Sequence, residues 1–533
     1  MPTDASPARP ARRRLLKGAA AAALLAPGAA LAAGPRTRFD HTVDAVVIGS
    51  GTGLCGAITA AAGGAKVLVL EKHAMVGGTT VVSGGVAWVP NNNVLRREGL
   101  QDDRESALRY LRKLSQGQAD EELMEAFVDN GGAMLDFLEA NSPLRFRVSL
   151  IMGKVADYHP DWADARLRGR SVEPVQETMG LAGGRLVGGL LEGCRDKGVE
   201  ILAGTPARRL IVEERDGRRH VVGVEALREG KPWRVRARRG VLMASGGFER
   251  NPEMMKHFLR GPVSYVWGAE SNEGDGIRMG MDVGADLRNM NECWGQAVYT
   301  VDGDRNGHVR GAISLYAQIE RRYPASICVN RYGKRFANES AAYDVTWPSF
   351  LTWENWLDLG YSNIPAFHIC DQTVREKLTV AGAAPGQALP DYVASADTLE
   401  ELAGKLGMDA EGLRTTVERF NANARAGRDP DFHRGESPYD RGGEAEVTAT
   451  LAPIEKAPFY GISVSPGALG TCGGLRVNRN AQVLSVWGEP IPGLYASGNT
   501  SGVGSPGALY GGGGGTIGPA LTFAYIAGKQ LAG

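Results

Sequence analysis

The residues best suited to carry out chemistry lie near the C-terminus, where Tyr510 precedes five consecutive glycines, Gly511–Gly515. Because glycine has no side chain, this backbone can approach a flat ligand closely. The run continues through Thr516 and Ile517 into a predicted helix start at Ala520, whose free N–H groups suit a negatively polarised ligand edge. We expect a site for a cofactor and an oxygen-bearing substrate. A flexible linker, the alternative, would not run straight into a patterned helix.

A second glycine-rich segment follows a short apolar strand at residues 44–48 and precedes an alanine-rich helix. Its first glycines are Gly49, Gly51 and Gly53. Residues 66–71 form a second buried-type strand, and Glu71 ends it 22 residues after Gly49, where a carboxylate can accept from a ribose hydroxyl. The fingerprint has two frames, since the sixth position is Leu54 counted from Gly49 but Gly56 counted from Gly51. With both strands and the acid, the pattern predicts a bound dinucleotide.

The loops after these strands favour FAD over NAD, because a long cofactor needs a second small-residue loop directly after the ribose acid. Only one complete fingerprint is present, which argues against NAD(P)H beside the flavin. The residues expected in this second loop are Lys72, Gly78, Thr79, Thr80, Ser83, Gly84 and Gly85. Later strand-to-loop segments and the C-terminal run add Ala207, Ala244, Ser245, Gly246, Gly498, Asn499, Gly515, Thr516 and Ile517.

These patterns predict an α/β protein, with a Rossmann-type FAD-binding domain and an inserted α+β substrate (capping) domain. We assign residues 1–32 to a signal peptide, 40–250 and 445–533 to the two parts of the FAD-binding domain, and 251–444 to the insertion. Within them we expect a strand leading into a loop over 199–207, a hairpin over 210–224 turning at 216–217, and helices over 398–406 and 409–424.

The N-terminus predicts export. Arg12 and Arg13 precede an apolar stretch that ends at a small-residue cleavage site, residues 30–32, as in a twin-arginine signal peptide. The stretch is alanine-rich and broken by proline and glycine, so we expect a periplasmic or extracytoplasmic protein without a stable membrane span after cleavage.

Composition excludes several function classes. The 60 basic and 60 acidic residues balance, so nothing favours nucleic-acid binding. The 6 cysteines and 8 histidines show no haem, iron–sulfur or zinc spacing, and we predict no metal.

The chain resembles the fumarate reductase/succinate dehydrogenase flavoprotein superfamily and, within it, the 3-ketosteroid Δ1-dehydrogenases, from about residue 44 to the C-terminus. Four motifs carry the likeness: the two glycine loops around Glu71, residues 329–339 (VNRYGKRFANE), residues 470–475 (GTCGGL), and GLYASGN with YGGGGGTIG. The resemblance implies an FAD dehydrogenase that desaturates a 3-ketosteroid or similar cyclic ketone and passes electrons to an external quinone or redox protein. No histidine lies in the GGTTVVSGG segment where related enzymes attach flavin, so we expect non-covalent FAD, although His73 is nearby.

The same resemblance assigns the catalytic residues. Tyr343 matches the family's base, Tyr510 and the backbone N–H of Gly514 match the pair that polarises the carbonyl, and Tyr158 matches a helper tyrosine. Removal of a proton next to a ketone requires hydrogen bonds to the developing enolate oxygen, and the adjacent carbon then gives hydride to flavin N5. The base must be anionic, so we expect a neighbouring phenol or an electropositive edge to lower its pKa from about 10.

Two alternatives remain. A fumarate-type reductase would need cations for a dicarboxylate, but the C-terminal run has no arginine and Gly470 stands where that family has histidine. Arg322 lies near that family's proton-donor position, and the competing interpretation is a surface or interdomain ion pair. A flavin carrier without its own substrate is the other alternative, which the three aligned tyrosines disfavour.

Overall fold

The computed structural model describes residues 37–149, 157–176, 181–215, 217–301, 316–355, 359–443, 446–503 and 510–533. The proposed signal peptide, with Arg12 and Arg13, lies outside these residues. Phe39–Gly533 forms one compact unit.

An eight-stranded sheet holds the nucleotide fingerprint. Its central strand, His41–Ile48, pairs in parallel with Val67–Leu70 on one side and Lys231–Met243 on the other. Glu200–Leu202 and Pro490–Ala496 extend the parallel part, and Gln482–Leu484, Arg218–Arg228 and Ala207–Arg215 complete the sheet in antiparallel pairings. Residues 46–48, 67–70 and 241–243 of the three central strands are buried and consist of Val, Leu, Ile and Met243, because helices cover both faces of a parallel sheet.

A six-stranded sheet forms around the long strand Phe459–Thr471. Cys293–Tyr299, Ala366–Cys370 and Ala394–Ala396 pair with it antiparallel and Tyr265–Val266 parallel, while Ser326–Asn330 pairs with Ala366–Cys370. The structure also has three smaller sheets. One has three strands, Ala87–Trp88, Ser171–Pro174 and Phe146–Val148. The other two have two strands each: Leu287–Arg288 pairs with Gly474–Leu475, and Trp353–Glu354 pairs with Gly360–Tyr361.

The described helices connect and cover these sheets. The α-helices are Gly53–Ala62, Gly78–Val81, Asn93–Arg97, Arg104–Ser115, Glu121–Asn141, Gly183–Asp196, Pro252–Phe258, Asp275–Asp282, Thr346–Phe350, Gln372–Lys377, Leu399–Leu406, Ala410–Arg425 and Ile517–Ala532. Short 3-10 helices span Tyr343–Val345, Val447–Ala449 and Gly498–Ser501.

The α/β fold is confirmed, and several predicted elements differ only at their ends. Thr398 and Asp409 cap their helices instead of belonging to them, because their side-chain oxygens accept from backbone N–H groups of the first turn. The C-terminal helix begins at Ile517, three residues before the predicted Ala520, and its first turn is fixed by the Gly518 N–H donating to the Gly514 carbonyl.

The strand leading into a loop over 199–207 is confirmed and differs only at its ends: the strand is Glu200–Leu202, a loop follows, and Ala207 already begins the first strand of the hairpin. That hairpin extends further than predicted, and Asp216 in its turn lies outside the described residues. The predicted domain boundaries at 250/251 and 444/445 stay predictions. Residues 444 and 445 lie outside the described residues.

Two hydrophobic cores correspond to the two main sheets. One packs the central strands against the helices Gly53–Ala62 and Ile517–Ala532, and the other packs the six-stranded sheet against Leu399–Leu406 and Ala410–Arg425. A small third cluster holds the buried aromatic residues Tyr158, Trp294 and Tyr510.

Candidate active site

A cavity of about 440 Å³ begins at the carboxyl ends of the parallel strands. Residues directly after four neighbouring strands line it: Gly49 and Gly51, Glu71 and Lys72, Ala244 to Gly246, and Gly498 with Asn499. Ligands of open α/β sheets bind at this edge, where connections leave in opposite directions. The cavity continues to Tyr158, Tyr343 and Tyr510. One continuous space therefore joins the nucleotide fingerprint to the predicted catalytic tyrosines.

The first glycine loop has the shape that a dinucleotide requires. Gly49 has φ +105°, and a Cβ there would lie 2.2 Å from the Ala244 carbonyl oxygen. A Cβ on Gly53 would lie 2.7 Å from the Ala244 side chain, and one on Gly56 would lie 2.5 Å from Leu242. Gly49 therefore makes the tight turn, while Gly53 and Gly56 both allow the helix to pack on the strand. The tight turn therefore belongs to the frame counted from Gly49, and both packing glycines belong to the frame counted from Gly51.

The acid of the fingerprint holds the loop as well as lining the cavity. One oxygen of Glu71 accepts from the Ser50 N–H at 3.1 Å and from its hydroxyl at 2.6 Å, and the other accepts from the His73 N–H at 2.8 Å. Lys72 also lines the cavity, but its ammonium group binds Glu273 and lies 2.8 Å from Asp275. Lys72 is therefore tied to carboxylates instead of being free for cofactor phosphates.

The second glycine loop lines the same cavity through the six predicted residues that follow Lys72. They are Gly78, Thr79, Thr80, Ser83, Gly84 and Gly85. The Thr79 hydroxyl is fixed because it accepts from the Ala269 N–H at 2.9 Å and from the Asn272 side chain at 3.0 Å. Ala207, Thr516 and Ile517 also line the cavity, whereas Gly53 and Gly515 lie behind its wall. These residues fit an extended dinucleotide with its ring system toward the tyrosines.

The predicted catalytic tyrosines form one cluster. The Tyr343 ring centroid lies 5.5 Å from that of Tyr158 and 5.4 Å from that of Tyr510. Tyr343 begins the 3-10 helix Tyr343–Val345, and Tyr510 stands at the start of the glycine run. The fourth predicted residue, Gly514, also lines the cavity. The structure therefore brings all four together, although 352 residues of chain separate Tyr158 from Tyr510.

The hydrogen bonds in this cluster converge on Tyr343. Burial raises its pKa, while hydrogen bonds from Tyr158 and Tyr510 lower it and the Asp344 carboxyl raises it further. Burial also raises the pKa of Tyr158 and of Tyr510 well above the usual value for a phenol. The expected net lowering of the Tyr343 pKa was wrong, because desolvation outweighs the two donated hydrogen bonds. Tyr343 is nevertheless the acceptor of both neighbours, which is the arrangement that a base requires.

Asp344 is a functional candidate that the sequence did not reveal. Its carboxylate is 3% exposed and accepts from the Tyr510 N–H at 2.8 Å. Burial raises the pKa of this carboxyl to about 7, although the Tyr510 N–H and the Arg321 guanidinium oppose the rise. The sequence feature that could have indicated a role for Asp344 is its position directly after Tyr343. The bond to Tyr510 depends on a fold contact across 166 residues.

The wall around the tyrosines is aromatic and apolar. Tyr439 packs edge-on against Tyr158 at 5.1 Å between centroids, and Trp294 packs on Tyr510 at 4.6 Å. Trp267, Leu469 and Val86 complete this end. The charged side chains among the described lining residues are Glu71, Lys72 and Asp275, all at the nucleotide end. The tyrosine end therefore suits a hydrophobic, uncharged ligand.

Arg322 is not among the described residues that line the cavity. Its guanidinium lies 5.0 Å from the Tyr439 ring centroid and donates at 2.6 Å to the Tyr439 carbonyl. It also donates to the Asp440 carbonyl at 3.4 Å. Its described contacts are thus two backbone carbonyls and a ring face, in place of the carboxylate expected for an ion pair.

Other features bear on the chemistry. All six cysteines are buried and free. The described part of the chain contains no group of three His, Cys, Asp or Glu side chains placed to hold a metal ion. Within the same residues, no helix has the length and apolarity needed to cross a membrane.

The chain is similar to known proteins over most of its length. The family model of the FAD binding domain matches residues 44–516. A 4-oxocyclohexanecarboxylate 2-dehydrogenase from Sinomonas cyclohexanicum is 37% identical over 92% of this chain and 93% of its own. A 3-oxosteroid 1-dehydrogenase from Mycolicibacterium smegmatis is 35% identical over 92% of this chain and 97% of its own.

A solved structure is similar over the whole fold. The 3-ketosteroid Δ1-dehydrogenase from Sterolibacterium denitrificans, in complex with 1,4-androstadiene-3,17-dione, has a TM-score of 0.83 at 30% identity. The match covers 92% of this chain and 99% of that one. The protein is an FAD-binding oxidoreductase, and it belongs to the flavoprotein family that includes the 3-oxosteroid 1-dehydrogenases and 4-oxocyclohexanecarboxylate 2-dehydrogenase.

Proposed function

We propose that this protein introduces a carbon–carbon double bond next to the carbonyl of a hydrophobic cyclic ketone, with 3-ketosteroids as the preferred class. The observation that carries the proposal is the convergence of Tyr158, Tyr343, Tyr510 and Gly514 at the apolar end of a cavity that starts at the FAD fingerprint. A phenol and a backbone amide can stabilise an enolate oxygen without a metal.

Each of these residues has one role in the proposed reaction. Tyr343 removes a proton from the carbon next to the carbonyl, and Tyr158 donates a hydrogen bond that stabilises the Tyr343 phenolate. Tyr510, which donates to Tyr343 in this structure, turns its hydroxyl to the ketone oxygen, where the Gly514 N–H joins it. The aromatic wall excludes water, which strengthens these hydrogen bonds. Bound FAD supplies the hydride acceptor.

The lining of the cavity supports an uncharged substrate. A dicarboxylate at the tyrosine end would be desolvated without a cation beside it, because Lys72, the cation among the described lining residues, lies at the nucleotide end, and this costs several kcal/mol. A ring ketone with one carboxylate, the substrate named for the Sinomonas relative, is the second candidate. Arg322 supports that candidate, because its guanidinium lies 5.0 Å from the ring centroid of Tyr439, which lines the cavity.

Anaerobic mixing of the flavin-loaded protein with a panel of ligands tests the function. We expect 4-androstene-3,17-dione to bleach the flavin absorbance and to yield a 1,4-diene-3-one. If 4-oxocyclohexanecarboxylate bleaches the flavin and the ketosteroid does not, the substrate would be the smaller ring ketone. If neither ketone bleaches the flavin and the reduced protein is reoxidised by fumarate, the reductase alternative holds.

The variant Arg322→Ala separates the two chemistries further. We expect nearly unchanged flavin reduction by a ketosteroid, because the described contacts of Arg322 are the carbonyls of Tyr439 and Asp440 and the Tyr439 ring. A fumarate-type reductase that uses Arg322 as its proton donor would instead be abolished.

The proposal includes non-covalent FAD. No histidine lies in residues 77–85, and the nearby His73 is exposed and absent from the described cavity lining. Acid precipitation should therefore release the yellow colour into the supernatant, whereas flavin that stays with the pellet would contradict this part of the proposal. The reduced flavin passes its electrons to an external quinone or redox protein.

A further inference from the structure

The glycine run is held from behind by donors to its carbonyl groups. The Gly511 carbonyl accepts from the Tyr110 hydroxyl at 2.7 Å and from the Tyr158 N–H at 3.1 Å. The Gly513 carbonyl accepts from the Ser171 hydroxyl at 2.7 Å, and the Gly514 carbonyl accepts from the Trp88 N–H at 3.0 Å. The backbone of the run is therefore fixed peptide by peptide.

The peptide between Gly513 and Gly514 carries the N–H that is the proposed second donor to the ketone oxygen. It contains the Gly513 carbonyl and the Gly514 N–H, which point in opposite directions because the bond is trans. Among the described residues, Ser171 is the donor to that carbonyl, and none accepts from the Gly514 N–H. Gly514 is partly exposed and lines the cavity, whereas Gly513 and Gly515 are buried. A bond at the rear of the peptide thus sets the direction of the N–H at its front.

Ser171 is itself rigidly placed. It is 0% exposed and begins the strand Ser171–Pro174, which pairs with Trp88. Its carbonyl accepts from the Ser149 N–H at 2.9 Å. No side chain would fit at Gly514, because its φ is +93° and a Cβ on it would lie 2.4 Å from the Val86 carbonyl oxygen and 2.7 Å from the Trp88 nitrogen. The backbone at Val86 and Trp88 therefore packs closely against Gly514.

We propose that Ser171 is a positioning residue, whose hydroxyl orients and polarises the Gly513–Gly514 peptide so that the Gly514 N–H can hold the enolate oxygen. The inference rests on the proposed function, in which Gly514 is the second oxyanion donor. A hydrogen bond to the carbonyl of an amide strengthens its N–H as a donor, because such bonds polarise one another.

The test compares Ser171→Ala with Tyr110→Phe. Each variant removes one hydroxyl that donates to a carbonyl of the glycine run at 2.7 Å. Tyr110→Phe is the matched control, because the Tyr158 N–H still holds the Gly511 carbonyl. Flavin content and thermal unfolding check that both variants are folded.

In anaerobic flavin reduction by saturating ketone, Ser171→Ala should lower the rate about tenfold with little change in the half-saturating ketone concentration. Removal of an oxyanion donor itself lowers the rate roughly 10²–10³-fold. The loss expected for Ser171→Ala is smaller, because the Gly514 N–H is still present. Tyr110→Phe should stay within about twofold of the unaltered protein. Equal rates for all three proteins, or equal losses in both variants, would overturn the assignment of Ser171.

A second measurement needs no turnover, and so it tests Ser171 separately from the proposed reaction. Estradiol and 4-hydroxybenzoate carry a phenolic oxygen where the two candidate ketones carry their carbonyl. In a pH titration of the bound phenols, phenolate absorbance should appear at higher pH in Ser171→Ala than in the unaltered protein and in Tyr110→Phe. Superimposable titrations in all three proteins would overturn the inference, even where no ketone in the panel reduces the flavin.

Discussion

Asp344 shows how a single buried carboxylate can govern the site. It follows Tyr343 in the chain and binds the Tyr510 N–H, so it links the two tyrosines assigned to proton removal and to the enolate oxygen. Arg321 lowers its pKa, and Asp344 in turn raises the pKa of Tyr343, Tyr158 and Tyr510. Its negative charge opposes the phenolate that the reaction needs.

The pKa of Asp344 predicts a pH-dependent stability. Burial raises it to about 7 from 3.8, so the folded state holds a proton that the unfolded state has lost, and stability falls as pH rises between these values. Asp344→Asn keeps an acceptor for the Tyr510 N–H and removes the charge. Thermal unfolding of the flavin-loaded variant should show a gain over the unaltered protein that is larger at about pH 8 than at about pH 5, by on the order of a few kcal/mol. A gain that is equal at both pH values would contradict the buried carboxylate.

Local motifs sufficed to predict some of the tyrosines that meet in the candidate site. Tyr343 and Tyr510 stand beside recognisable loops, whereas Tyr439 and Trp294 have no local pattern that distinguishes them from core aromatics. Their place in the site depends on packing between distant segments. The pKa of Tyr343 could not be predicted either, because burial, its largest determinant, is a property of the folded molecule.

At the scale of elements, the parallel strands and the first glycine loop build the nucleotide end. The strands at residues 44–48 and 66–71 and the loop between them were predicted from continuous apolar runs and spaced glycines. The short strand Glu200–Leu202 belongs to the sheet only through its parallel pairing with Val67–Leu70. The sequence predicted this strand and the loop after it, but a three-residue pattern cannot show which strand is its partner.

The turn at Gly49 gives a prediction about cofactor binding. Gly49→Ala places a methyl group 2.2 Å from the Ala244 carbonyl oxygen at φ +105°, so the loop must shift and FAD content should fall severely. Gly188→Ala is the control, since no atom lies within 4 Å of a Cβ at that helical position. It should retain FAD and be stabilised by about 0.5–1 kcal/mol. Absorbance after purification measures the flavin content, and a fully loaded Gly49→Ala protein would contradict the role of the turn.

At the scale of the whole molecule, one cavity is lined by residues from two parts of the chain that were predicted to be separate domains. The eight-stranded sheet supplies the fingerprint, and segments around the six-stranded sheet supply Trp294, Leu469 and Tyr343. The fold class and the location of the FAD end followed from the sequence. The shape of the ketone end did not, because it depends on how the two sheets meet.

Export of the folded, flavin-loaded protein remains a prediction from the N-terminal sequence. Replacement of both Arg12 and Arg13 by lysine should leave the precursor in the cytoplasm with its FAD, because the twin-arginine route requires that pair. Cell fractionation followed by flavin absorbance measures this outcome. Normal export of the double variant would show that another route delivers the protein.

Proton removal by Tyr343 is the central claim, and the variant Tyr343→Phe tests it most directly. Tyr323→Phe is its control, because it also removes a tyrosine hydroxyl with a side-chain partner, Thr379 at 3.0 Å, away from the described cavity lining. In anaerobic stopped-flow mixing with a saturating ketone, Tyr343→Phe should keep its flavin and reduce it roughly 10²–10⁴-fold more slowly than the unaltered protein. Tyr323→Phe should match the unaltered rate. Flavin reduction by Tyr343→Phe at the rate of the unaltered protein would contradict the account.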